Sequence, residues 1–68
     1  MHDYVVYILV PTRRMSIFLR LREAGLDASP LAREAQVRAV VVFDTTRQEV
    51  SRALEGISGY RIAEVESL

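Results

Sequence analysis

The chain has 68 residues, with nine arginines and nine acidic residues, a formal net charge of zero at pH 7, and no lysine or cysteine. That length holds one domain with one core, 1–68, near the lower limit of unaided folding. The missing thiols exclude disulfides and fit a reducing, cytoplasmic setting. With His2 the single imidazole, a zinc set is all but excluded, and no metal or cofactor is expected.

The balanced charge argues against nucleic acid as a partner, which a basic surplus would attract by counterion release. No apolar run approaches a membrane span, and Met1-His2-Asp3 does not begin like a signal peptide, so no membrane association is expected.

From Asp3 to Val10 the chain reads DYVVYILV. Both alternating sets are apolar, which predicts a strand buried on both faces and closed by Pro11. Thr12 is placed to cap a helix over 13–24, with Ile17, Phe18, Leu21 and Ala24 on its core face and Gly25 just past its end. Met15 and Leu19 point elsewhere, among charged residues.

The segment 26–36 reads two ways. As a strand, its polarity and Pro30 suit only a sheet edge. As a helix, it would open with Ser29 as N-cap and Pro30 at the first helical position, followed by LAREAQ. The edge strand is the expectation.

A second apolar strand follows near 37–44, RAVVVFD from Arg38 to Asp44. Thr46 and Glu49 then have capping-box spacing for a helix over 46–57 with a stripe of Val50, Ala53, Leu54 and Ile57. Gly56 and Gly59 bracket its exit. The segment 60–66, YRIAEVE, alternates like an edge strand.

With the strand at 26–35 the order is β-α-β-β-α-β. This predicts a ferredoxin-like α+β sandwich, two helices on one four-stranded antiparallel sheet. Right-handed crossovers would put the first and third strands, the most apolar, in the centre and the two polar ones at the edges. Two helices cover only one face of such a sheet. The other would be expected to alternate polar, yet neither set of the first strand is polar, and Val40 and Val42 oppose Val41 and Phe43. A second copy of the chain on the open face is the expectation, making a homo-oligomer.

Little here carries chemistry. The five serines have no core histidine to activate them. Glu64 and Glu66 read as a solvated edge, and Asp44 as a turn residue beside Thr45 and Thr46. Thr12, Arg13 and Arg14 follow a central strand and open a helix, where amides and guanidinium groups could converge on an anion. No glycine lies in that loop to cradle a phosphate. The chain is therefore expected to bind rather than catalyse.

Three stretches carry a family resemblance. LREAGLDA at Leu21–Ala28 looks like the L-x-E-A-G-I-N-I of ACT domains, the small regulatory modules of amino-acid metabolism, and VRAVVVFDTTRQEVSRAL and SGYRIAEVESL resemble their third strand, second helix and last strand. The resemblance implies pairing of domains and an amino acid or other small anionic effector, held at the interface by Pro11, Thr12 and Arg13 of the first loop and by Asp27 at the start of the second strand. The family's loop usually carries Pro-Gly, and here Thr12 stands in place of that glycine.

A second resemblance, through EGISGYR, is to the amino-terminal domain of NusG-type elongation factors, which implies an apolar surface that binds RNA polymerase. A third reading is a subunit or adaptor that binds only protein.

Overall fold

The computed structural model describes the backbone of residues 1–33 and 36–65, with side chains for all of these except 32, 33, 36 and 37. The chain is α+β, with two helices and one four-stranded antiparallel sheet. Strand β1 spans His2–Ile8, helix α1 Arg14–Glu23, β2 Asp27–Arg33, β3 Gln36–Thr45, α2 Arg47–Ala53 and β4 Tyr60–Val65. The strand order is β2-β3-β1-β4. The two apolar strands, β1 and β3, are central, and the polar β2 and β4 form the edges. Residues 27–33 are an edge strand and Gln36 opens β3, so the alternative helix from Pro30 to Gln36 is not formed; residues 34–35 of that stretch lie outside the described set.

The local chemistry accounts for most boundaries. Pro11 fixes its own φ and starts a 3-10 turn, Pro11–Arg13, that runs directly into α1. Thr12 therefore falls inside that turn. The N-cap of α1 is Arg13, without a side-chain cap, which corrects the role expected for Thr12.

Helix α1 ends in a Schellman motif. Gly25, at φ +84°, donates from its N–H to the Arg22 carbonyl, and Leu26 donates to that of Leu21. Thr46 accepts the Glu49 amide at 3.1 Å as expected, whereas the Glu49 carboxylate takes a hydrogen bond from the Thr45 hydroxyl at 2.7 Å. Helix α2 is shorter than its apolar stripe implied, because the chain turns left-handed at Gly56, φ +85°.

The core gathers Tyr4, Val6, Ile8, Val40, Val42 and Ala28 from the sheet with Ile17, Leu21, Val50 and Leu54 from the helical layer. All the sheet members belong to one alternating set, so both helices pack on the same face. Phe18 and Ile57, expected to be buried, are half-buried at the margin of this cluster, and Ala24 is exposed. The first strand is not buried on both sides: Val5 is half-buried and Tyr7 is 39% exposed.

Candidate functional site

Among the residues with described side chains, the four strands present their second face as a grid of twelve in three rows, set by the strand register and, in the third row, by the bulge opposite Asp3. The first row is Leu31, Ala39, Tyr7 and Arg61, in sheet order from β2 to β4. The second is Ser29, Val41, Val5 and Ala63, and the third is Asp27, Phe43, Asp3 and Val65. Eight of the twelve are apolar or aromatic. Leu31 (48%), Phe43 (40%), Tyr7 and Val65 (38%) are all open to solvent. This face is broad, and nothing among the described residues covers it.

Its polar groups are placed unevenly. Arg61 stands alone in the first row, its guanidinium 5.1 Å from the centroid of the Tyr7 ring, a cation–π distance. The carboxylates Asp3 and Asp27 share the third row. His2 pairs with Thr45 and Tyr4 with Val42, so β3 carries one extra residue opposite Asp3. Asp44 absorbs this bulge in the left-handed region, φ +53°, which Asp tolerates better than most residues. Its amide donates to Asp3 Oδ1 at 2.9 Å. The carboxylate of Asp27 has no partner among the described residues.

Both sheet edges are blunted. Pro30 interrupts the free side of β2, since a proline in a ladder must turn its nitrogen outward. On β4, Arg47 reaches from α2 to donate to the Ile62 carbonyl at 3.4 Å, and Glu64 meets His2 at 3.2 Å. Charges and prolines of this kind disfavour strand addition. Glu66 lies outside the described residues.

Pro11, Thr12, Arg13 and Arg14 all lie, exposed, at the end of the sheet where β1 finishes. Gly59 anchors this loop: its carbonyl accepts the amides of Leu9 (2.9 Å) and Val10 (3.3 Å). The guanidinium groups of Arg13 and Arg14 meet no hydrogen-bond or ion-pair partner among the described residues, although both backbone amides are used, that of Arg13 donating to the Val10 carbonyl and that of Arg14 to the Pro11 carbonyl. Asp27 lies at the opposite end. It pairs with Phe43, four residues along β2 from the Leu31–Ala39 pair, a run of about 13 Å. One copy of the chain does not bring Asp27 to Pro11, Thr12, Arg13 and Arg14. The strand direction explains this, because β1 ends where β2 ends, not where it begins.

An open groove runs along α2, lined by Arg47, Ser51, Arg52, Glu55, Gly56 and Tyr60. Among the described residues no three histidines, aspartates or glutamates stand close enough to hold a metal ion, and no helix is long and apolar enough to cross a membrane. No family model, curated protein or solved structure matches the chain.

Proposed function

We propose that this chain is a ferredoxin-like sandwich acting as a small non-catalytic binding domain, and that a second copy covers its open sheet face. The observation that carries this reading is the outer sheet face, whose twelve described residues are apolar along β3 and, apart from Asp3, along β1, with nothing among the described residues covering them. The chain is 29 by 29 Å across and 17 Å thick. A broad side of that size is of the order of the roughly 800 Å² that each partner contributes to a standard interface. Blunted edges favour stacking of faces over joining of edges. Among the described residues of this surface two carboxylates stand against one guanidinium, which opposes a phosphate backbone and supports protein rather than nucleic acid as its occupant.

The ACT-like reading is supported by the open sheet face, which suits pairing of domains, and by the guanidinium groups of Arg13 and Arg14, which meet no partner among the described residues. An effector held jointly by that loop and Asp27 requires two copies. The NusG-like reading gives the same face to a large complex instead.

The test is substitution in the face. Val41→Asp in its centre and Leu31→Glu at its margin both convert a dimer into a folded monomer, read by light scattering and circular dichroism. If both variants keep the mass of the unmodified chain, the face is not the interface. If the unmodified chain is itself a stable monomer, the reading that a second copy covers the face fails.

A further inference from the structure

We infer, resting on the face-to-face reading above, that the two copies stack with their two-fold axis running across the strands at the middle row, so that the Arg61–Tyr7 end of each face lies on the Asp3 end of the other. Two identical sheets can stack on a two-fold axis only if the axis lies between them. When it runs along or across the strands, the two right-twisted sheets follow each other's curvature at a near-constant separation of about 10 Å. The charges then distinguish these two axes.

With the axis along the strands, each row meets the same row of the partner. Arg61 lies on Leu31, Asp27 on Val65 and Asp3 on Phe43, by the register of the grid. Every charge is desolvated against an apolar side chain, which costs without return.

With the axis across the strands, the first row meets the third. Tyr7 lies on the partner's Asp3, and the guanidinium of Arg61, already leaning over the Tyr7 ring, comes to the same carboxylate. This happens twice by symmetry. Asp3 is prepared for it: Oδ1 is held by the Asp44 amide, which leaves Oδ2 free to accept. Asp27 lies on the partner's Leu31 in this arrangement, so of the three charged groups of the described face it alone lacks a partner, at an exposed edge of the sheet. Size complementarity agrees, since Ala39 lies on the partner's Phe43. Val5 and Val41 lie on their own copies at the centre.

A third arrangement, crossing the sheets at right angles on the Leu31–Val65 diagonal, brings Arg61 towards the partner's Asp27. The twist of each sheet splays those two corners apart, so it gives the weaker pairing.

The absence of cysteine allows a direct test with single cysteines in the full chain. Sheets about 10 Å apart lie beyond the reach of a disulfide, so the probe is a short bis-maleimide spanning about that distance. Ser29 lies in the middle row at an exposed edge, where the inferred axis brings it opposite its own copy. Ser29→Cys is expected to cross-link to a dimer in high yield, and Leu31→Cys and Asp27→Cys poorly. Highest yield at Leu31→Cys points to the right-angled stack and overturns the inference. So does a dimer in which Ser29→Cys cross-links only when Ala63→Cys is present too, which marks the axis along the strands.

Charge provides an independent readout. Arg61→Glu is expected to weaken the dimer by about tenfold or more through like-charge contact. Adding Asp3→Arg to it is expected to recover most of that loss. An unchanged dissociation constant in Arg61→Glu overturns the pairing while leaving the face-to-face reading intact. If the unmodified chain does not dimerise at all, it is that reading which fails.

Discussion

Gly59 ties the first loop to the last strand, and replacing it by alanine measures how tightly. Three glycines have left-handed backbones: Gly25 at φ +84°, Gly56 at +85° and Gly59 at +89°. An alanine at any of them costs about 1–2 kcal/mol for that conformation alone. At Gly25 and Gly56 the added methyl enters open space, whereas at Gly59 it would stand 2.9 Å from Val10 Cγ2 and 3.1 Å from Val10 Cβ. Relieving such a contact costs about 1–3 kcal/mol more. A domain of this size holds about 3–10 kcal/mol in total, so the difference is large. Each kcal/mol moves Tm by about 4–8 °C in a domain of this size. Thermal melts by circular dichroism are expected to place Gly59→Ala at least about 4 °C below both Gly25→Ala and Gly56→Ala. Val10→Ala, which removes the Cγ2 contact, is expected to narrow that gap. If all three glycine variants melt together, the close approach of Val10 to Gly59 is not part of the fold.

Leu54 is fully buried while Phe18 lies at the core margin, so Leu54→Ala is expected to cost about 2–5 kcal/mol and Phe18→Ala less; urea titration of the two, with the order reversed, would contradict this core. Thr46→Ala removes the acceptor of the Glu49 amide and is expected to cost about 1 kcal/mol, with Thr46→Ser restoring most of it in the same titration. Equal stability of Thr46→Ala and the unmodified chain would show that α2 does not depend on its cap.

The element order and the central place of the two apolar strands were legible because both signals are local: runs of β-branched residues, and polarity at the edges. Pro30 pointed the same way, although SPLAREAQ also reads as a helix; pairing with β3 outweighed that propensity. The error at Thr12 arose because Pro11 begins a turn one residue early. Those at Phe18 and Ala24 arose because a two-layer sandwich buries a narrower stripe of α1 than the helical period allows. The open face was visible as an apolar set without a helix to cover it. Its charge pattern was not, since the meeting of Asp3 with Asp44, or of Arg61 with Tyr7, depends on register and on a bulge that no spacing in the sequence announces. The separation of Asp27 from Arg13 likewise follows from strand direction, which a motif match does not carry.

The central claim is that a second copy covers the sheet face, and the mass of the unmodified chain in solution tests it most directly. Sedimentation equilibrium from micromolar to about 100 µM lies at or above the dissociation constants of interfaces of this size, roughly micromolar or tighter, so the dimer is expected to be populated throughout. The expected result is a mass of twice the 7.7 kDa of one chain, little changed between low and high salt because the buried surface is mainly apolar. A single species of 7.7 kDa across the whole range, melting cooperatively at a temperature independent of concentration, would contradict it.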